Sequence, residues 1–278
     1  MYDETSVIPP GSWRTGWAHA SQPDRSAESR ITAVRFALSS RVLPSLADAL
    51  TVGDRVRMAL LRCSDSHPVF LGRDAAGQVA RGPRHEHAWV LPADDDTDGV
   101  LDHVVVYARG GFDFAALRSL VRLRRVWGHS GPDLSLTLVD LGSPGELGCL
   151  RRDTSGARTA QLGTARVWES MTPFAPVRHT KLRAGRVRDA PDEQVARLLA
   201  LHGRPPAQIA LLAPEAAMQP RPPSIAWQRF QRRRMFGAGS RGGDAAFGFR
   251  LCFDRPVTGP IVLGYAAHQG LGQFVAVA

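Results

Sequence analysis

The chain has 278 residues with 44% hydrophobic content, which is enough for one large folded domain or two ordinary ones. Its formal net charge of +9 favours a polyanionic partner such as a nucleic acid. No apolar run approaches the roughly 20 residues that cross a bilayer, and the three cysteines form no Cys-x-x-Cys pair. We therefore expect a cytoplasmic protein without a membrane partner, a zinc knuckle or a disulfide framework.

The first half of the chain predicts one compact unit. Residues 1–30 are rich in Ser, Pro, Gly and charge, which indicates an irregular lead-in. After it, the apolar spacing predicts strand, helix, strand, strand, helix and strand, and this order is that of a ferredoxin-like unit over 31–145. The predicted elements cover 31–38, 46–63, 87–91, 103–107, 114–127 and 134–141.

A second, looser copy of the same unit is predicted over 146–278. Its helix covers 192–201, and its second helix is reduced to a glycine-rich loop. Its strands cover 165–171, 208–212, 247–253 and 274–278, with a Pro- and Arg-rich insertion at about 213–243. The predicted fold class is therefore α+β, with tandem ferredoxin-like (RRM-like) βαββαβ units, the second irregular and ending in the glycine-rich loop. Many RNA-binding modules use this fold.

The glycine-rich loop immediately before the last strand is a candidate RNA contact. Gly264, Gly270 and Gly272 allow the backbone to turn at positive φ and to approach a phosphodiester closely. His268 lies within the loop, where it can bind RNA, act in catalysis or cap the backbone. The other interpretation of these glycines is an ordinary tight turn.

Two histidines two residues apart form the sharpest candidate for chemistry. His85 and His87 follow Arg84, and alternation along an extended segment directs both imidazoles to one face. Such a pair can act as acid and base or ligate a metal. The alternative is a set of polar residues at a strand entrance.

His103 is a further potential metal ligand, but the predicted hairpin separates it from His87. If Pro92 lies opposite Leu101, His103 pairs near Val90, about 10 Å along the strands from His87. One shared metal centre is therefore not expected.

The acidic turn of the same hairpin resembles the front of a calcium loop. Asp94, Asp96 and Asp98 occupy the first, third and fifth positions, but Val105 stands where the loop needs a bidentate glutamate. A polar hairpin turn is the preferred interpretation.

Arginine supplies nearly all the positive charge, since Lys181 is the only lysine among 35 basic residues. A charged run is usually a solvated face, but aromatic residues among the arginines favour RNA contact. Trp227, Phe230 and Phe236 are expected to stack on unpaired bases. The residues expected to bind the RNA backbone are Arg178, His179, Lys181, Arg229, Arg232, Arg233 and Arg234.

Several ordered motifs together resemble one family. They are Arg84-His-Glu-His-Ala-Trp-Val-Leu-Pro92, Asp98-Gly-Val-Leu-Asp-His103, Ala165-Arg-Val-Trp-Glu-Ser-Met-Thr-Pro-Phe174, and Gly259-Pro-Ile-Val-Leu-Gly264 with Gly270-Leu-Gly272. From about residue 31 to the end, the chain resembles the RNA-processing half of the fused Cas-five/Cas-six CRISPR-associated protein of type I-U (I-G) systems, in the RAMP superfamily.

The resemblance implies an endoribonuclease that binds CRISPR repeat RNA and cuts it without a metal or cofactor. In such enzymes the 2′-hydroxyl attacks the adjacent phosphate, a histidine moves a proton, and a 2′,3′-cyclic phosphate remains. His87 is the first choice for this histidine, with His85 and Arg84 beside it. Other subunits of a type I interference complex, including a separate Cas-five-like chain, are implied partners. The alternatives are a subunit that holds repeat RNA without cutting it and a metal-dependent nuclease.

Overall fold

The structure, a computed structural model, describes residues 30–72, 87–127, 131–149, 160–183, 186–213, 225–234 and 245–277. Within these residues the chain forms two five-stranded antiparallel sheets, each with helices, and one two-stranded hairpin. Arg84 and His85 lie outside the described residues, as do Phe236 and most of the predicted insertion.

The first sheet has the strand arrangement of a ferredoxin-like unit. Its order is β2-β3-β1-β5-β4, so β5 and β3 flank β1, and β4 is added at one edge. The elements are β1 (Ala33–Ser39), α1 (Ala49–Cys63), α2 (Pro68–Leu71), β2 (Trp89–Ala93), β3 (His103–Tyr107), α3 (Phe114–Arg122), β4 (Arg125–Val126) and β5 (Leu134–Gly142).

The second sheet repeats the arrangement in the order β11-β12-β6-β10-β9. The second half of the chain contains α4 (Pro144–Cys149), β6 (Thr164–Ser170), β7 (Lys181–Arg183), β8 (Arg186–Arg188), α5 (Pro191–Leu201), β9 (Ala207–Leu211), β10 (Phe249–Thr258), β11 (Ile261–Val262) and β12 (Gln273–Val277), of which β7 and β8 form the separate two-stranded hairpin. A short 3₁₀ turn at Ala267–Gln269 replaces the second helix, and the predicted α+β tandem fold is confirmed.

Local signals explain where the helices begin and which strands are buried. The Asp113 carboxylate accepts the Ala116 N–H at 2.8 Å and begins α3, and α3 ends earlier than predicted because the chain enters β4. Strand β2 is buried along its whole length, whereas burial alternates through the first four residues of β5. Strand β2 is therefore covered on both faces, and this decides where the two units meet.

The register of the β2–β3 hairpin differs from the prediction by three residues. Ala93 pairs with His103, whereas the predicted partner of His103 was Val90. The loop closes later because the Asp94 carboxylate accepts two backbone N–H groups at 3.1 and 2.9 Å from residues near its end. His103 therefore lies at the end of the hairpin opposite to His87, and the expectation that the two do not share a metal agrees with this register.

The outer face of the first sheet packs against the second unit. Trp89, Leu91 and Val105 form one buried cluster with Val262 of β11 and Ala267 of the 3₁₀ turn. The glycine-rich loop therefore lies directly on β2. No helix in the described ranges is long and apolar enough to cross a membrane.

Candidate active site

Three aromatic rings from the two units stack where the glycine-rich loop meets β2. The ring centroids of His87 and His268 lie 3.6 Å apart with an interplanar angle of 19°. His268 also stacks on Trp89, with ring centroids 4.5 Å apart and an interplanar angle of 16°. The tertiary structure thus joins the histidine that the sequence ranked first with the histidine of the glycine-rich loop. We call these three residues the ring stack.

His87 is held against the carboxyl end of α2. The Ala88 N–H donates to the Val69 carbonyl at 2.6 Å and ties the strand entrance to the helix. Gly72 has φ of +76°, and a Cβ there would lie 3.3 Å from the His87 ring, so the glycine lets the ring approach closely. Helix α2 therefore forms one wall of the site.

His268 is held by the 3₁₀ turn and by helix α1. Its Nδ1 lies 3.4 Å from the Ala88 carbonyl oxygen, which can only accept a hydrogen bond. Gly53 of α1 approaches the next residue, Gln269, so closely that a Cβ on Gly53 would overlap the Gln269 carbonyl oxygen. The first unit therefore sets the position of the loop of the second.

Two buried glutamines complete the attachment of the loop to β2. Gln161 and Gln273 both donate to the Pro92 carbonyl at 3.1 Å, and Gln161 donates to Gln273 at 2.9 Å. Gln273 also donates to the Gly270 carbonyl at 2.9 Å. Buried amides with several partners fix one arrangement of the groups they join. This network therefore positions the loop that carries His268 against the strand that carries Trp89.

Arg57 of α1 is a cation on the same side of the molecule as His87. Its guanidinium donates to the Leu71 carbonyl at 2.9 Å, one residue before the glycine that contacts the His87 ring. Burial and the nearby Arg234 lower the pKa of Arg57, and Asp54 opposes them. An arginine nevertheless stays protonated in proteins, so Arg57 keeps its positive charge.

His103 belongs to a separate ion-pair cluster at the other end of the hairpin. Its Nδ1 lies 2.9 Å from Asp102 and 3.4 Å from Asp95, and Asp95 pairs with Arg35 at 2.7 Å. Burial raises the pKa of Asp95 to about 6 against the opposing effect of Arg35. The side chains of Asp95, Asp102 and His103 lie close enough together to ligate a metal. The Arg35 guanidinium, however, already neutralises Asp95 in an ion pair.

The acidic loop of the hairpin predicts a pH dependence of stability. Burial raises the pKa of Asp94 from 3.8 to about 7, although hydrogen bonds from Gly99 and Asp98 oppose the rise. Between these two values the folded protein holds a proton that the unfolded chain has lost. The free energy of unfolding is therefore expected to fall as the pH rises, with Asp94 contributing up to about 1.4 kcal/mol per pH unit.

Urea unfolding at about pH 5 and about pH 7 measures this effect. Asp94→Asn is expected to flatten the pH dependence, and Asp96→Asn, at an exposed position of the same loop, serves as the control. An equal slope in wild type and Asp94→Asn would show that Asp94 is ionised throughout this range.

The predicted RNA-binding glycines are needed for internal packing. Gly272 has φ of +63°, its N–H donates to the Pro173 carbonyl at 2.9 Å, and a Cβ there would overlap the Leu263 carbonyl oxygen. A Cβ on Gly270 would lie 2.8 Å from the Pro92 ring. Gly270 and Gly272 are buried and Gly264 is partly exposed. RNA contact by these glycines stays a prediction.

The basic residues ahead of the β7–β8 hairpin are exposed. Arg178, His179 and Lys181 all face solvent. Gln194 of α5 anchors the segment, accepting the Arg178 N–H at 3.1 Å and donating to the Arg178 carbonyl at 2.9 Å. The Arg178 side chain is thus presented from a fixed backbone position, with His179 and Lys181 exposed beside it in the sequence.

The Arg229–Arg234 segment divides into exposed and internally bonded arginines. Arg229 and Arg233 are exposed. Arg232 donates to the carbonyls of Gln228 at 2.8 Å and Phe230 at 3.2 Å, and Arg234 pairs with the buried Asp54 at 3.4 Å. Arg232 therefore stabilises the turn of the segment itself, and Arg234 holds the segment against α1.

The aromatic residues of that segment are not positioned as expected. Trp227 and Phe230 are 4% and 3% exposed and belong to the core of the first unit. The prediction that these two rings stack on RNA bases is therefore wrong. Apolar burial outweighed the local charge pattern, because the rings fill space that α1 and the first sheet leave.

Several residues of the site were not found from the sequence. Trp89 was part of a quoted motif, but it gives no local sign that it faces a loop 180 positions away. Gly53 and Gly72 each stand in or beside a helical pattern, where an isolated glycine signals close backbone approach. Gln161 and Gln273 offered no signal, since a glutamine is usually exposed.

The known proteins comparable with this chain are remote. No protein-family model matches the sequence, and no curated protein matches it. A solved CRISPR-associated protein Cas6 aligns with 89% of this chain and 100% of its own, at 6% identity and a TM-score of 0.43. A Cas6b structure aligns over 88% of this chain and 100% of its own chain, at 10% sequence identity and a TM-score of 0.43.

A third solved structure, a RAMP protein binding different RNA substrates, aligns with 89% of this chain and 100% of its own, at 11% identity and a TM-score of 0.42. Identities and TM-scores this low carry no information about activity. The function is therefore inferred from the residues of this chain.

Proposed function

We propose that this protein binds CRISPR repeat RNA and cuts it by attack of a 2′-hydroxyl on the adjacent phosphate, leaving a 2′,3′-cyclic phosphate. The observation that carries the proposal is the His87–His268 pair, 3.6 Å apart between ring centroids, at the contact of the glycine-rich loop with β2. The reaction needs a base at the 2′-hydroxyl and an acid at the 5′-oxygen. Two imidazoles side by side supply both proton transfers.

The hydrogen bond of His268 suggests which ring does which task. When its Nδ1 donates to the Ala88 carbonyl, the neutral ring keeps a lone pair on Nε2 and can accept the proton of the 2′-hydroxyl. His87 then donates a proton to the departing 5′-oxygen. Two positive charges this close repel each other, so the pair favours a state in which one ring is neutral, the base, and the other is protonated, the acid.

Positive charge near the pair stabilises the charge that develops on the phosphate. Arg57 lies beside α2, which forms the wall behind His87. Arg84 and His85, close to His87 in the sequence, belong to the same proposed site. Fixed cations at a forming oxyanion need no reorganisation during the reaction and are among the strongest contributors to rate.

The RNA would be held by the exposed basic residues and the glycine-rich loop. Arg178, His179 and Lys181 form one basic group, and Arg229 and Arg233 a second. The protein would then remain with other subunits of a type I interference complex, including a separate Cas-five-like chain.

Cleavage of the source genome's CRISPR repeat RNA in EDTA tests the proposal. Two RNAs are compared, the natural repeat and one carrying a single 2′-deoxy nucleotide at the cleavage position, with end-group analysis of the products. We expect the natural RNA to be cut to a cyclic phosphate and the deoxy RNA to be bound with equal affinity but left intact, because it lacks the nucleophile.

Two other outcomes would contradict the proposal and identify the alternatives. Complete loss of cleavage in EDTA with rescue by Mn²⁺ would indicate a metal-dependent nuclease, for which Asp95, Asp102 and His103 have ligand spacing. Tight binding of both RNAs without cleavage of either would indicate a subunit that holds repeat RNA.

The division of the arginine segment predicts different effects for its members. Arg229→Gln with Arg233→Gln is expected to weaken RNA binding and to reduce the slope of log K against log salt by about 0.7 for each phosphate that the variant no longer neutralises. Arg232→Ala is expected mainly to lower stability, because it removes hydrogen bonds to several carbonyls.

RNA binding by fluorescence anisotropy over a salt series and urea unfolding of the same variants separate the two effects. Arg41→Gln, an exposed arginine after β1, is the control. An unchanged salt slope in the Arg229/Arg233 double variant would remove these residues from the RNA-binding surface.

A further inference from the structure

Helix α3 and the segment of strand β4 carry apolar side chains that the described part of the chain leaves exposed. Phe114, the first residue of α3, is 82% exposed, and Trp127, just after β4, is 66% exposed. Val121 on the same helix is 48% exposed. Large exposed apolar side chains on consecutive elements indicate a candidate binding surface.

Arginines lie among these apolar side chains. Arg118 stands four residues after Phe114 and three before Val121, so helical geometry places the three on one face. Arg122 follows and is exposed. We define the α3–β4 surface as Phe114, Arg118, Val121, Arg122, Arg125 and Trp127.

The end of this surface already combines a ring with a cation. The Arg125 guanidinium carbon lies 5.8 Å from the centroid of the Trp127 ring. Arg125 also pairs with Asp133 at 3.4 Å, but both side chains are about half exposed. Exposed ion pairs of this kind contribute little to the free energy of folding. Arg125 therefore remains able to exchange Asp133 for another anion.

The backbone that carries the surface is fixed before any ligand binds. Asp113 caps α3, and Ala116 and Leu120 on the opposite face of the helix are fully buried. Val126 of β4 pairs with Leu134 of β5. The backbone positions of the surface are thus preorganised, and binding would order little of the backbone.

The chemistry of the surface selects an anion with flat apolar faces. Asp133 pairs with Arg125 at 3.4 Å, whereas Asp113, which caps α3, contacts His67 at 3.2 Å. A protein partner would need an apolar patch with matching acidic groups, whereas unpaired RNA offers both features in every nucleotide. Bases stack on aromatic rings while arginines bind the phosphates.

We propose that the α3–β4 surface is a second RNA-binding site, which takes an unpaired RNA segment by stacking bases on Phe114 and Trp127 and pairing phosphates with Arg118, Arg122 and Arg125. The further claim that this RNA segment belongs to the same repeat-containing transcript rests on the proposed function. The binding itself does not, because none of these residues belongs to the ring stack.

A short unstructured RNA unrelated to the repeat is the probe, and fluorescence anisotropy of the full chain is the measurement. Phe114→Ala with Trp127→Ala is expected to weaken binding about tenfold for each ring. Arg118→Gln with Arg122→Gln is expected to lower the salt slope by about 0.7 for each phosphate that is no longer paired with an arginine. Val42→Ala with Leu211→Ala, at positions 67% and 64% exposed elsewhere, is the matched control.

Each remaining outcome would overturn the proposal. Wild-type affinity in both double variants would show that the surface does not bind RNA. Equal loss of affinity for a perfectly paired RNA duplex would show that stacking on unpaired bases is not involved. Unchanged RNA affinity together with loss of a wild-type self-association would make it a protein-binding surface. Because the variants leave His87 and His268 intact, a failure here is distinguishable from an absence of cleavage by the wild type.

Discussion

Replacing His87 by alanine is expected to lower the single-turnover rate of repeat-RNA cleavage by about two to four powers of ten. The ring is proposed to donate a proton to the leaving oxygen, and loss of a positioned acid or base has effects of this size. The affinity for uncleavable 2′-deoxy RNA is expected to change much less, because the basic residues that hold the backbone are untouched.

His268→Ala and the His87/His268 double variant decide whether the two rings act together. The double variant is expected to be little slower than either single variant, because removing one member of a working pair already abolishes its function. His202→Ala, in a histidine just after α5, is the control and is expected to cut at the wild-type rate. Wild-type rates in both single variants would overturn the assignment of the pair.

Gly53→Ala is expected to destabilise the protein by about 1–3 kcal/mol, the cost of forcing extra volume into a packed site. In an exposed helix the same change stabilises by up to about 1 kcal/mol, because alanine is the better helix former. The sign reverses here because the new methyl would overlap the Gln269 carbonyl oxygen. Urea unfolding of both proteins measures the difference.

Gly145→Ala in α4 is the matched control, since a Cβ there meets nothing within 4 Å. It is expected to be neutral or stabilising. Because Gln269 follows His268 directly, Gly53→Ala is also expected to slow cleavage by the protein that remains folded. Equal stability of the two variants would show that α1 does not fix the loop.

The positions of most secondary-structure elements could be predicted because their signals are local. Apolar spacing marked the helix at α1 and the strands β1 and β3 within two or three residues of their observed bounds. The early end of α3 was missed, since the two-residue strand β4 is stabilised by pairing with β5 and not by its own sequence.

Part of the candidate site was also visible in the sequence. The His-x-His motif and the histidine of the glycine-rich loop were each selected for their chemistry. The sequence did not join them, because contact between His268 and Ala88 spans 180 positions and depends on how two separate units pack. The division of the arginines into exposed and bonded ones is equally a product of packing, as Arg234 meets Asp54 across another 180 positions.

The sequence by itself determined the order of the main strands and helices, the basic character of the chain and the residue types that can move protons, because each of these is a property of short segments. Only the tertiary structure decided the hairpin register, the burial of Trp227 and Phe230, the exposure of Phe114 and the stacking of His87 on His268. These depend on which distant segments compete for the same volume, and close packing settles that competition for the whole chain at once.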